Sequence, residues 1–328
     1  MPSKANLAPT IPLAPHELVV DELRQVEQCL ASRLGSREPL LREIGHYLIG
    51  AGGKRARPAV VLLIFRACGG KNPDDVVDVA AAFELIHTAS LLHDDIIDGS
   101  ATRRGRASAF QQFGLADSLV AGDFLFSQAF GLCGRFDENV INWAAEACIQ
   151  LTEGEVMQGR FRHNPNVTRD DYLEIIARKT ASLFSQAARL GAYLAGASTD
   201  IVDSMASCGY SVGMAFQVVD DLLDVQGDGN RTGKPTGADL KDGNPSLPLV
   251  LAIALDSEVK RVFQKKNPTR AEVEDALGRV RRLGVVAEVR ALAHSYCAQA
   301  LAALSSLAPS PYHDCLSFFI QQLVERTA

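Results

Sequence analysis

From Pro15 onward, apolar residues recur at three- and four-residue intervals in segments rich in Ala, Leu, Glu, Gln and Arg, and no long alternating run interrupts them. A period near 3.6 gathers those side chains on one face of a helix, whereas a half-buried strand needs a period of two. The expected fold is therefore all-α, a single large helical bundle. Helices are expected over about 16–33, 38–50, 57–68, 73–99, 115–133, 137–160, 169–195, 199–226 and 246–255, with more from about 257 to 326. Three starts carry capping sequences: Asn72-Pro73-Asp74-Asp75, Thr168-Arg169-Asp170-Asp171 and Ser198-Thr199-Asp200. Breaks are expected at Gly52-Gly53, at 99–106, at Asn164-Pro165-Asn166 and at 226–248. No low-complexity linker divides the interior, so residues 16–328 read as one domain. Residues 1–15, broken by Pro2, Pro9, Pro12 and Pro15 and without a continuous apolar stretch, read as a loose tail and not a signal peptide.

Composition narrows the function. With 328 residues, 47% hydrophobic and 22% charged, the chain has the balance of a globular protein and not of a disordered one. A net charge of −6 argues against a nucleic-acid binder held by phosphate contacts. The longest apolar runs, 59–65 and 249–255, fall far short of the roughly 20 residues that a membrane span requires. The seven cysteines (Cys29, Cys68, Cys133, Cys148, Cys208, Cys297 and Cys315) are scattered and include no C-x-x-C pair. They read as small buried hydrophobes in a reducing cytoplasm.

One device occurs twice. Leu92-His93-Asp94-Asp95-Ile96-Ile97-Asp98 is echoed by Val218-Val219-Asp220-Asp221-Leu222-Leu223-Asp224, each closing a helix before a Gly-containing segment. On a helix, Asp94 and Asp98 share a face, as do Asp220 and Asp224, about one 5.4 Å turn apart. Like charges at that spacing repel, and the negative end of the helix dipole makes the place worse for anions and better for cations. Clustered hard oxygens suit Mg²⁺, which commonly takes one or two carboxylates and completes its shell with phosphates and water. A single motif of this kind is ordinarily a solvated acidic helix end; two, each after an apolar stretch, are harder to explain that way. Calcium loops are poor rivals, since the spaced ligands and the closing Glu are missing.

A diphosphate held by Mg²⁺ needs cations too. Gly52-Gly53-Lys54-Arg55-Ala56-Arg57-Pro58 offers them at a loop-to-helix junction, and Arg103-Arg104-Gly105 follows the first motif. Either loop alone is ordinarily solvated decoration. His87 lies seven residues before Asp94, almost two turns away and on nearly the same face. Lys179-Thr180 and Gln217 would face a shared cavity if the two acidic helices oppose each other. Their bland readings are a solvated lysine and a buried, hydrogen-bonded amide.

Taken together, GGKRARP (52–58), ELIHTASLLHDDIID (84–98), RRG (103–105), KTASLF (179–184), FQVVDDLLD (216–224) and TGKPTGADLKDG (232–243) resemble the trans-isoprenyl diphosphate synthases, or polyprenyl synthetases. The resemblance implies an all-α fold around a central cavity, with the two aspartate motifs facing each other at its mouth. It implies Asp94, Asp98 and Asp220 as Mg²⁺ ligands, three ions being held when substrate is bound, with Asp95, Asp221 and Asp224 in support. Lys54, Arg57, His87 and Arg104 match the isopentenyl diphosphate site, and Arg103, Lys179 and Lys234 the cations around the allylic diphosphate. Thr180 and Gln217 match polar groups beside the developing carbocation. Where the family often reads D-L-x-x-G-K, this chain has Asp239-Leu240-Lys241-Asp242-Gly243-Asn244, and Lys241 is a candidate replacement for the missing lysine.

Three activities compete on this reading: a chain-elongating prenyltransferase, a class I terpene cyclase and a non-catalytic synthase subunit. The intact second motif, with Lys54, Arg57 and His87, favours the first. Small residues before the first motif, Ala89 and Ser90, leave room for a growing chain and point to a medium or long octaprenyl-like product; Phe126, Phe130 and Met157 are candidates for the floor. A homodimer is implied as well, with Phe124, Phe126 and Phe130, within 119–130, as a candidate interface stripe.

Overall fold

The computed structural model describes residues 17–50, 52–53, 55–103, 105–227 and 236–325, so the expected 1–15 tail lies outside the described residues. The first half carries α1 (Val20–Arg33), α2 (Pro39–Gly50), α3 (Ala56–Ala67), α4 (Val77–Ile97), α5 (Ala109–Phe113), α6 (Leu115–Cys133) and α7 (Glu138–Phe161). Then come α8 (Arg169–Ile176), α9 (Ser182–Leu194), α10 (Thr199–Gln226), α11 (Ala238–Asp242) and α12 (Leu247–Leu255). The chain closes with α13 (Ser257–Phe263), α14 (Arg270–Arg282), α15 (Val285–Leu304) and α16 (Pro311–Glu325). The all-α expectation holds, and most helix ends fall within a few residues of those read from sequence.

Two helices organise the rest. In α4, Val79 to Phe83, Leu85, Ile86, Ala89 and Leu92 are all buried, which on a 3.6-residue period leaves almost no solvent face until the aspartates. Such a helix must sit inside, and α4 packs against α1, α3 and α6. Helix α10 is its counterpart, packed against α9 and α15. Helix α9 joins the two halves, since it lies on α3, α7 and α10 and also touches α4. These packings run backbone to backbone: a Cβ on Gly191 of α9 would meet the Val61 carbonyl of α3 at 2.5 Å. One hydrophobic cluster extends from Val19 to Val324, with Phe65, Phe83, Phe184 and Phe263 fully buried in it. Each buried aromatic or aliphatic side chain of this size contributes about 1.5–3 kcal/mol.

The departures from the expected pattern have local causes. Helix 73–99 is split: Asn72 caps a 3₁₀ turn over Pro73–Asp75, and Val76, at φ −133°, ends it before α4 begins. Ser198 occupies the N-cap of α10 in extended conformation but makes no capping hydrogen bond, whereas Thr168 and Asp171 form the full capping box. The break at 99–106 contains a small antiparallel hairpin, β1 (Thr102–Arg103) with β2 (Arg106–Ala107), in which Arg103 faces Arg106. Two-residue strands are too short to show any alternation. The expected helix 169–195 is interrupted by a π turn at Ala177–Ala181. All seven cysteines are free, and burial pushes the Cys208 thiol up to about 12. Among the described residues no helix is long and apolar enough to cross a membrane.

Candidate active site

The π turn is the centre of the site. An i→i+5 turn within a helix widens the backbone and re-aims its side chains, and such bulges recur at functional positions. Here it lies between two helices that present glycines to it. A Cβ on Gly154 of α7 would meet Lys179 N at 2.5 Å, and one on Gly213 of α10 would meet Ala181 Cα at 2.6 Å. Those contacts are backbone contacts that cannot swing aside, so the turn is seated with little freedom. Gly154→Ala should therefore cost about 1–3 kcal/mol of stability through overpacking. It should also lower kcat by up to about 10²-fold as Lys179 shifts. Thermal melts and steady-state rates check this; unchanged kcat would mean that the seat does not matter.

From this turn Lys179 reaches the first motif. Its Nζ is 3.8 Å from Asp94 Oδ1, pairs with Glu155 of α7, and donates to Gln158 Oε1 at 2.7 Å. Burial alone would lower the ammonium pKa, but Asp94 and Glu155 outweigh it and hold it above the usual lysine value. For Asp94 the balance is reversed: burial pushes its carboxyl up to about 7, with Glu155 and Asp98 adding to the push and Lys179 opposing it. Asp98, which caps α4, is paired with Arg162 at the end of α7. Asp95 is buried and takes Arg103 Nε at 2.9 Å, which ties the hairpin to α4. Tyr47 of α2 holds the hairpin's other strand by donating to the Ala107 carbonyl at 2.7 Å.

Thr180, the next residue of the turn, reaches the second motif. Its hydroxyl donates to Gln217 Oε1 at 3.0 Å, and the Gln217 amide donates to Asp221 Oδ1 at 3.0 Å. Asp221 Oδ2 accepts from Leu247 N at 3.0 Å. Burial pushes this carboxyl up to about 7 against the opposing effects of Tyr172, Gln217 and Leu247 N–H. Asp224 accepts from Ala238 N at 3.1 Å and Asp239 N at 3.2 Å, so it caps α11 and fixes the segment that follows the motif. Asp220 is exposed. Two consecutive residues of one turn thus reach both aspartate motifs, Lys179 directly at Asp94 and Thr180 through Gln217 to Asp221, and segments that are distant in sequence are brought together.

The polyprenyl synthetase family profile matches residues 38–280. The chain belongs to the polyprenyl synthetase family. It is 34% identical over 316 residues to an octaprenyl diphosphate synthase of Escherichia coli, covering 95% of this chain and 98% of that one. It is also 34% identical to a short chain isoprenyl diphosphate synthase of Methanothermobacter thermautotrophicus, over 94% of this chain and 98% of the relative. Among solved structures it resembles a polyprenyl synthase from Caulobacter crescentus complexed with calcium and isoprenyl diphosphate. The TM-score is 0.91 and the identity 34%, covering 96% of this chain and 97% of that one.

The donor set of this polyprenyl synthetase fits a hard divalent cation. Asp94 and Glu155 crowd one ammonium in a desolvated place, and Asp98 adds a third carboxylate to the field. Excess buried negative charge on oxygen donors alone suits Mg²⁺. Among the described residues no three acidic, His or Cys side chains stand close enough together to hold a metal ion. The carboxylates are turned instead onto Lys179 and Arg162.

The remaining candidates divide. Arg57 places its guanidinium 4.8 Å over the Phe184 ring, its Nε has no hydrogen-bond partner, and burial lowers its pKa to about 10. His87 is half-buried on α4. Ser90 is buried and donates back to the His87 carbonyl at 2.8 Å, while Ala89 has 0% exposure and belongs to the packed core. Phe126 and Phe130 pack half-buried against that core, but Met157 lines a groove with Thr152, Val156 and Arg160. Lys54, Arg104 and Lys234 lie outside the described residues.

Sequence reasoning passed over Glu155, Gln158 and Arg162, because single polar residues spread along α7 form no motif. Arg55, which the sequence offers only as one cation of the basic loop, pairs with Glu84 of α4 at 2.8 Å and with Glu27 of α1. At φ 46° Arg55 begins α3 in the left-handed region, and these pairs fix the loop that presents Arg57. A buried glutamate in the apolar run of α4, Glu84, was the available signal.

Proposed function

We propose that this chain is a Mg²⁺-dependent trans-polyprenyl diphosphate synthase that condenses isopentenyl diphosphate onto an allylic diphosphate. The observation that carries the reading is the turn at Ala177–Ala181, from which Lys179 pairs with Asp94 and Thr180 reaches Asp221 through Gln217. Asp94, Asp98 and Asp220 would hold the metal ions, three when substrate is bound, with Asp95, Asp221 and Asp224 supporting them. Bound Mg²⁺ would neutralise charge developing on the departing diphosphate. Arg103, Lys179 and Lys234 bind the allylic diphosphate, and Lys54, Arg57, His87 and Arg104 the isopentenyl diphosphate. Breaking the allylic C–O bond sends its electron pair to the diphosphate and leaves an allylic cation. The Thr180 hydroxyl and Gln217 amide, already tied to each other, direct oxygen dipoles at that cation. The isopentenyl double bond attacks through C4, and the released pyrophosphate takes the proton that is then lost. Apolar walls exclude the water that would quench the cation.

The test is stoichiometric: purified chain with Mg²⁺, isopentenyl diphosphate and an allylic primer should release one pyrophosphate per isopentenyl unit consumed. Release from the allylic substrate alone would instead mark a cyclase. The free thiols support a cytoplasmic setting.

We also infer a homodimer. The phenylalanines 124, 126 and 130 are half-buried against the core and leave little to a partner. The exposed apolar surface lies beside them: Leu115, Leu119 and Val120 on α6, and Ile141, Ile149 and Val156 on α7. Residues 141, 149 and 156 share a helix face, and a stripe of this kind on two adjacent helices suits a second copy. Sedimentation at micromolar concentration should show a dimer that Ile149→Glu dissociates; a monomeric wild type would contradict it.

A further inference from the structure

The loop after the second motif has Asn244 at the position where the resemblance leads one to expect a lysine. In the structure Asn244 is not idle: its Oδ1 accepts from Arg162 Nε at 3.2 Å, and the same guanidinium is paired with Asp98. The arginine comes from elsewhere in the chain, at the very end of α7, and it is held there by construction. His163 adopts the left-handed region at φ 57°, donates its backbone N–H to the Gly243 carbonyl at 2.8 Å, and sets Nδ1 3.0 Å from the Phe263 carbonyl. Gly243, at φ 67°, lies so close under the His163 ring that a Cβ there would collide with Nδ1. The end of α7 and the 243–244 loop are therefore one clamp, and it aims Arg162 at the aspartate of the first motif.

We propose that Arg162 is a diphosphate-binding cation of this site, delivered from α7 and oriented by Asn244 in place of a loop lysine. The inference rests on the prenyl diphosphate reading above. A guanidinium has five N–H donors, and those not given to Asp98 and Asn244 have no partner among the described residues. Its side chain keeps 26% exposure, so a ligand can reach it. A cation drawn to Asp98 competes with Arg162 for that carboxylate, and the freed fork then meets phosphate oxygens bidentately. Lys241 and Asp242 also flank the clamp, and Asp242 feels both Asp98 and Arg162. Lys241 is an exposed side chain on α11, whereas Arg162 is the cation in contact with both Asp98 and Asn244.

The test uses the full-length protein with inorganic pyrophosphate and Mg²⁺ in a calorimeter, beside steady-state kinetics. Arg162→Gln should weaken pyrophosphate binding by about tenfold or more and raise KM for the allylic diphosphate similarly. Arg162→Lys should lose less, and adding Asn244→Lys to Arg162→Gln should restore binding by returning a cation to the loop. Unchanged pyrophosphate affinity in Arg162→Gln, with or without a lower Tm, overturns the proposal, since a merely structural ion pair would move only the Tm. Failure of Asn244→Lys to restore binding overturns the substitution of one cation for the other. If the wild type itself neither binds pyrophosphate nor consumes isopentenyl diphosphate, the parent reading fails instead.

Discussion

Replacing Asp94 or Asp220 with alanine is expected to lower kcat by about two to three orders of magnitude while the protein stays folded. The two positions predict the same catalytic loss for different structural reasons. Asp220 is exposed, so its removal takes away little that holds the fold. Asp94 is half-buried beside Lys179, and that ammonium keeps Glu155 as its partner when Asp94 is removed. Neither variant should melt lower than the wild type. The loss falls on kcat because a carboxylate that positions a cation against the leaving diphosphate matters most as that charge develops. Turnover near wild type in either variant at saturating Mg²⁺ would contradict the assignment of both motifs.

The second large effect concerns product length. Ala89 lies five residues before Asp94 on α4, roughly 7.5 Å down the helix axis at 1.5 Å per residue. A chain whose diphosphate stays at the aspartates must lengthen past that level. Ala89 has 0% exposure, so the space there is closed by packed side chains that a growing product has to displace. Ala89→Tyr is expected to shift the products towards farnesyl or geranylgeranyl diphosphate without abolishing turnover, because the ring obstructs length and not the site. It should also cost about 1–3 kcal/mol through overpacking, visible as a lower Tm. Octaprenyl, solanesyl and nonaprenyl diphosphate synthases are among the relatives, which favours a medium or long product, and a short chain synthase is also 34% identical, so sizing the products fixes the length. An unchanged product distribution in Ala89→Tyr, or a wild type that already stops at farnesyl diphosphate, would mean that α4 does not set the length.

Much of the fold was legible because it is helical. The 3.6-residue period of α4, α7 and α10 is written in residues that are neighbours in sequence, and the Thr168 capping box needs only four of them. The aspartate motifs were legible for the same reason. What escaped the sequence is non-local or very short. The pairing of Asp98 with Arg162 joins residues 64 apart, and nothing around Arg162 distinguishes it from a solvated helix end. The π turn at Ala177–Ala181 packs against Gly154 and Gly213 on two other helices, each an ordinary glycine when read alone. The hairpin 102–107 is held by Tyr47 and Asp95, and those contacts likewise cross from one element to another. Ala89 looked like open lining because small side chains leave room on a helical wheel, but that room is taken by neighbours the wheel does not show.

The proposed activity requires the two motifs and the turn beside them to act as one Mg²⁺-dependent site for joining isopentenyl units. The most direct measurement is chromatography of products from the purified chain incubated with radiolabelled isopentenyl diphosphate, farnesyl diphosphate and Mg²⁺, beside a sample treated with EDTA. The account predicts labelled linear prenyl diphosphates longer than farnesyl, formed with Mg²⁺ and absent with EDTA. No incorporation of label at saturating Mg²⁺, or an unlabelled cyclic hydrocarbon from farnesyl diphosphate alone, would contradict it.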